Sequence, residues 1–338
     1  MIGHVELQTA LERSLNCDSN HSDAQRRIAE LDRRPCSYRS SFAVEELDVR
    51  FADGSAMQLI FKDVGRDALL DEARVAKPAF LHNPLREIET YRAILKSAGL
   101  GTATFHGACV DPRAGRYWLF LERVPGVPLV ELGDFAIWQE VARRLAIMHS
   151  RLSRAGESSA LPHLLHYDED FYRLWPRRAL EFLGSGGHSP GDCAAAARLL
   201  AERYDSIIDR LLALPRTFIH GEFYGANVLV AEAPAGFRVC PVDWEMAAFG
   251  PCLMDLAALT SGKWSEEEKV RLALTYRETL DREQRADLAP TDFLTALDLC
   301  RLHLAVQWLG WSRQWSPPEE HAYNWLGEAL GQAEKLCL

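Results

Sequence analysis

The chain has 338 residues, 48% of them hydrophobic and 25% charged, an ordinary globular composition with enough length for two domains and a substantial core. A formal net charge of −10 argues against nucleic acid as the main partner. The most apolar run, "CRLHLAVQWLGW", is interrupted by Arg301, His303 and Gln307, so no membrane partner is expected.

The first residues carry Val5, Leu7, Leu11 and Leu15 at helical spacing, then a polar break "NCDSNHSD", then "AQRRIAELDRR". This pattern predicts two short helices, an N-terminal helical extension over residues 1–33. From Pro35 the period changes. "SFAVEELDVRF" alternates, with Phe42 and Val44 out of phase with Leu47, Val49 and Phe51, which a bulge near Glu45–Glu46 would reconcile. Asp53-Gly54 is a hairpin signal. In the strand after it, Met57, Leu59 and Phe61 face one side and Gln58, Ile60 and Lys62 the other. "NPLREIETYRAILKSAGLG" reads as a helix opened by Asn83 and Pro84 and closed at Gly99 or Gly101. "YWLFLERV" is a further strand, running into a hinge at "PGVPL". Residues 34–124 thus form a small sheet with one helix and a hinge.

Residues 125–338 are mostly helical. "IWQEVARRLAIMHSRL" carries Ile137, Val141, Leu145, Met148 and Leu152 on one stripe. Short strand-like pieces follow at "TFIHGE", "NVLVAE" and "FRVCPVDWE", before a Trp-rich helical tail. Net charge is uneven, −1 over residues 1–124 and −9 over 125–338. The acidic part suits a divalent metal and a cationic small substrate, beside the plainer reading of a solvated acidic surface. No basic and apolar leader opens the chain, and the eight cysteines include no Cys-x-x-Cys pair. These features suggest reduced thiols and a cytoplasmic location.

Phosphoryl transfer from ATP asks the protein for a cation on the phosphates, oxygen ligands for Mg²⁺ and a carboxylate that orients the acceptor hydroxyl. "HGEFYGAN" places Glu222 and Asn227 in one loop, and Asp243 follows in "VDWE" at the end of an apolar strand. Asn and Asp supply the hard oxygens that Mg²⁺ prefers. Lys62 is the candidate cation and Glu87, in the following helix, its partner. The segment "SGKW" at 261–264 lacks the spacing and the Ser/Thr of a phosphate-binding P-loop.

These motifs, in this order, resemble the aminoglycoside phosphotransferase and choline kinase-like branch of the protein-kinase-like fold over roughly residues 35–310. The most specific pieces are "HGEFYGANVLV" and "VDWEMAAFGPCLMDLAAL", supported by "LIFKDV" and "REIETY". The resemblance implies an α+β, two-lobed fold, with a small antiparallel-sheet N-lobe and a larger, mainly helical C-lobe. It implies ATP and Mg²⁺ as cofactors and a small-molecule hydroxyl as acceptor. Lys62 would hold the ATP phosphates, paired with Glu87. Glu122–Val124 would form the hinge under the adenine. Glu222 would be the catalytic acid/base, with Asn227 and Asp243 on Mg²⁺. His220 would shape the loop and Asp255 would be a structural acid.

Two departures stand out. The loop "CSYRSSF" has no glycine, so backbone N–H groups and the Ser40 and Ser41 hydroxyls would cover the phosphates. Glu222 stands where the family pattern reads Asp. Their ordinary pKa values, about 4.3 and 3.9, preserve basicity. The extra methylene lengthens the reach by about an ångström, and a misplacement of that order costs roughly a hundredfold in rate in a site built for the shorter acid. An active small-molecule kinase is therefore weighed against a nucleotide-binding pseudokinase.

Several other features have structural readings beside functional ones. Glu89 rivals Glu87 as the lysine's partner. Asp255 could cap the helix "LAALT". His163 and His166 have helical metal-ligand spacing without further ligands nearby. Trp308, Trp311 and Trp315, with Trp325, form either a packing stripe or a cage for a cation. "YDED" reads as a solvated loop rather than an attractor for a cationic acceptor, and "GSGGH" as a connection rather than a phosphate cradle.

Overall fold

The structure is a computed structural model that describes residues 2–17, 26–36, 41–153, 161–183, 189–234, 236–262, 264–280, 289–311 and 323–338. Ser40, Lys263, Trp315 and the "GSGGH" segment lie outside the described residues. The chain divides into two compact units. Met1–Arg74, Ala79–Val127 and Leu229–Glu245 form the first; Val75–Pro78, Pro128–Val228 and Met246–Leu338 form the second.

Alternating residues build the first unit's sheet from β1 (Ile28–Pro35), β2 (Val44–Phe51), β3 (Ala56–Asp63), β4 (Phe105–Asp111) and β5 (Arg116–Glu122). Its order is β1-β2-β3-β5-β4 with every neighbour antiparallel. The β2–β3 turn forms at Asp53-Gly54, where the Asp53 carboxylate accepts the Ser55 N–H at 2.8 Å. Leu47, Val49, Leu59, Phe61, Trp118 and Phe120 share one buried face, against which the helix His4–Cys17 lays Leu7 and Leu11. Gly107 permits that packing: at φ 139°, a Cβ there would lie 2.6 Å from the Ser14 Cβ.

Two local expectations change. "IAELDRR", expected as helix, is strand β1. Its register shifts between Ile28 and Glu30, so Ile28 and Leu31 are both buried at a spacing that imitates one helical turn. The bulge expected near Glu45–Glu46 is absent, because Val44 to Arg50 pair with Lys62 to Ala56 without a shift. Phe42 instead precedes β2, in an isolated bridge to Leu69.

The helix Pro84–Glu89 starts where Asn83 accepts the Leu85 N–H at 3.0 Å. It runs on through a wider π-helical turn, Thr90–Leu95. Strands Val228–Ala233 and Gly236–Pro241 are paired, and the second leads directly to Asp243.

The second unit is helical around a small sheet of Leu165–His166, Ala248–Pro251 and Arg216–Ile219. Helix Phe135–Arg151, capped by Asp134, buries Val141, Leu145, Met148 and His149. Helices Leu253–Leu259 and Pro290–Trp311 are heavily buried. "YDED" is less a loop than a helix start, since Asp168 accepts the Phe171 N–H at 2.9 Å just as Glu169–Leu183 begins. His163 and His166 occupy a turn and a strand, so the helical spacing imagined for them does not apply. Among the described residues, no helix is long and apolar enough to cross a membrane. The fold class is α+β, with the antiparallel sheet in the first unit and the helices concentrated in the second.

Candidate active site

Alternation along β3 sends Leu59 and Phe61 into the core and leaves Lys62 on the opposite face, where it is nevertheless only 4% exposed. A buried ammonium needs opposite charge. Glu87, 2% exposed, lies 2.7 Å from Nζ, and Asp243 Oδ1 is bonded to Nζ as well. Burial opposes the lysine charge, but the Asp243, Glu87 and Glu245 carboxylates outweigh it and hold Lys62 above its ordinary pKa. Burial pushes the Glu87 carboxyl upward while the Lys62 charge pulls it back. Glu89 pairs with Arg92 instead. Lys62, Glu87 and Asp243 are thus brought together from three separate segments of the first unit.

Asp243 has a left-handed backbone, φ 64°, a conformation in which Asp is among the better-tolerated side chains. The next two residues are anchored. Trp244 N–H donates to Glu87 Oε1 at 3.3 Å, and its indole N–H to the Pro241 carbonyl at 3.1 Å. The Glu245 carbonyl accepts from Arg86 at 2.7 Å, and its carboxylate accepts from the Ser41 hydroxyl at 2.6 Å. Ser41, expected over the phosphates, is therefore engaged with the segment after Asp243. Sequence reasoning missed Arg86. No local pattern marks it, because the Glu245 carbonyl it serves is distant in the chain.

Glu122 and Val124 end β5 and begin the expected hinge. The Glu122 side chain is committed locally: Arg238 lies 2.6 Å away and the Thr104 N–H and hydroxyl donate at 2.9 and 2.8 Å. The Arg238 guanidinium hydrogen-bonded to it, helped by the Thr104 donors, lowers its pKa to about 2. Val124 is buried, and its carbonyl accepts the Gly126 N–H at 2.9 Å.

In the second unit the loop after Arg216–Ile219 is fixed by one acid. Asp255, fully buried, accepts the His220 and Gly221 N–H groups at 2.7 and 2.8 Å and lies 3.1 Å from His149 Nε2. His149 Nδ1 is 2.8 Å from the Tyr276 hydroxyl. Asp255 sits inside its helix, so it braces this loop rather than capping "LAALT". His149 lies four residues beyond Leu145 on the buried stripe, a signal the sequence did offer. Gly221 is required: at φ 86°, a Cβ would stand 2.2 Å from the Met246 carbonyl oxygen.

Beyond Gly221 the Glu222 carbonyl accepts the Tyr224 N–H at 2.8 Å and the Asn227 side-chain N–H at 3.0 Å. Asn227 commits its amide nitrogen to the loop, which leaves its side-chain oxygen as its acceptor. Glu222 and Asn227, both half-buried, are brought together in this loop. The aromatic stripe reaches the same loop: Trp308 donates to the Tyr224 hydroxyl at 2.5 Å and stacks on Trp325 with ring centres 5.4 Å apart. Trp311 instead stacks on Trp175 at 5.9 Å.

The model of a family described as "Phosphotransferase enzyme family" matches residues 54–294. No curated protein matches by sequence. The structure is similar to wild-type aminoglycoside 2′-phosphotransferase-IIIa in its GDP complex (TM-score 0.55, 13% identity, covering 99% of this chain and 98% of that one). It is also similar to an ethanolamine kinase of Plasmodium vivax (TM-score 0.52, 11% identity, 91% and 82%) and to a microcompartment-associated aminopropanol kinase (TM-score 0.51, 18% identity, 95% and 94%). At these identities the likeness concerns the fold, which is the kinase-like α+β fold. With the family match spanning well over half its length, the chain belongs to the aminoglycoside phosphotransferase-type phosphotransferase enzyme family.

Proposed function

We propose that the protein is an ATP- and Mg²⁺-dependent kinase that phosphorylates a hydroxyl of a small molecule, a cationic metabolite or an antibiotic. The observation that carries this reading is the buried Lys62 held between Glu87 and Asp243. Lys62 would engage the nucleotide phosphates. Asp243 and Asn227 offer the hard oxygens that suit Mg²⁺, which when bound neutralises charge on the phosphates. Glu222 orients the acceptor hydroxyl and takes its proton as the hydroxyl oxygen bonds to the γ-phosphorus and the bond to the departing ADP breaks. Ethanolamine and aminopropanol, named for two structural neighbours, each carry an amine beside a hydroxyl. The acidic second half and the aromatic side chains of Trp308 and Trp325 are compatible with such a cation.

Thermal unfolding with ATP, with and without Mg²⁺, tests this reading. Ligand at about 100 times its Kd adds about 2.7 kcal/mol, several degrees for a chain of this size. The expected result is a Mg²⁺-dependent rise that disappears in Asp243→Ala; no rise at millimolar ATP would defeat the proposal. The rival reading, a nucleotide-binding pseudokinase, draws on Glu222 alone. It requires the same rise together with no ADP release for any acceptor.

A further inference from the structure

We infer that Arg86 is a positioning residue, which with Ser41 holds Asp243 in the backbone conformation that presents its carboxylate to a metal. The inference rests on the proposed nucleotide and metal role of Asp243. Among the described residues only Asp243 and Cys337 combine a side chain with positive φ, and Cys337 lies at the chain's end. A strained conformation persists where its surroundings over-determine it. Here they do so through the two residues that follow. Arg86 is 3% exposed, and one guanidinium nitrogen donates to both the Leu81 carbonyl at 2.8 Å and the Glu245 carbonyl at 2.7 Å.

Leu81 lies in the turn Ala79–Leu81, just ahead of the helix that carries Arg86. One buried cation therefore ties that turn to the peptide two residues beyond Asp243. Glu87 receives the Trp244 N–H from the same helix, and Ser41 secures the Glu245 side chain. Adjacent residues of one helix thus grip adjacent residues of the Asp243 turn. Arg86→Lys keeps the charge and the donors but mounts them on a flexible stem as a strongly hydrated ammonium, in place of a rigid planar group.

The test measures ATP affinity calorimetrically, without metal and with saturating Mg²⁺, beside thermal unfolding, for wild type, Arg86→Lys, Arg86→Met and Ser41→Ala. Wild type should bind ATP more tightly with Mg²⁺; failure there would defeat the kinase reading and the inference together. In Arg86→Met the metal-linked gain should shrink about tenfold or more, the usual effect of losing a group that orients a ligand, while metal-free binding holds. Arg86→Lys should recover part of the gain. A folded Arg86→Met that unfolds at lower temperature yet keeps the full gain would overturn the inference and leave Arg86 a packing residue. Should Arg86→Met fail to fold, Ser41→Ala probes the same clamp from its more accessible end. It should lose several-fold of the metal-linked gain only; loss of metal-free ATP binding instead, or an unchanged gain, would overturn the inference.

Discussion

Glu222 is mounted on a backbone with little latitude. Asp255 holds the two peptide N–H groups before it, Gly221 cannot accept a side chain, and its own carbonyl takes two hydrogen bonds. The loop has no slack with which to advance a shorter acid. Glu222→Asp should therefore lower turnover about a hundredfold, as expected from a retreat of about an ångström, with ATP affinity retained. Steady-state ADP release beside calorimetry would show it, and an active Glu222→Asp would mean that the loop accommodates either acid. The local spacing of Glu222 and Asn227 was readable in the sequence because both belong to one short loop. Arg86 was not, because its partner Glu245 lies 159 residues away and only the folded chain brings them together.

The N-terminal helix illustrates the same contrast between local and distant information. Its apolar spacing was plain, but nothing in residues 4–17 says that Leu7 and Leu11 close the core of a five-stranded sheet. Leu11→Ala removes a fully buried side chain and should cost about 2–5 kcal/mol in urea unfolding. A loss below about 0.5 kcal/mol, ordinary for a surface position, would show that the helix is an appendage. The hairpin at Asp53-Gly54 was legible because the turn chemistry is self-contained. Strand β1 was not, since its bulge places Ile28 and Leu31 on one face at a spacing of three, and only pairing with β2 reveals the strand.

Across the chain, buried histidine should weaken stability in mild acid, against the opposite pull of Glu87, whose raised carboxyl takes up its proton first in the folded state. Burial lowers His303 from 6.5 to about 3. Above pH 6.5 it is neutral in both states and stability is full; below, the unfolded chain gains a proton that the folded one refuses until about pH 3. Glu122, held near 2 against an ordinary 4.5, withdraws its contribution only below about 4.5. The slope between pH 6.5 and 4.5 should therefore flatten in His303→Gln, by at most about 1.4 kcal/mol per pH unit. An unchanged slope in denaturant titrations would exclude His303 as its source; burial also lowers His106, which would sustain the remainder. The sheet also bears on how this protein can be cut for expression. The family match begins at residue 54, whereas β1 and β2 lie at Ile28–Pro35 and Val44–Phe51. A fragment trimmed to that match would turn β3 into an open edge and strip cover from Leu59 and Phe61. Such a fragment would be a template for aggregation, however faithfully it kept Lys62, Glu87, Glu222, Asn227 and Asp243.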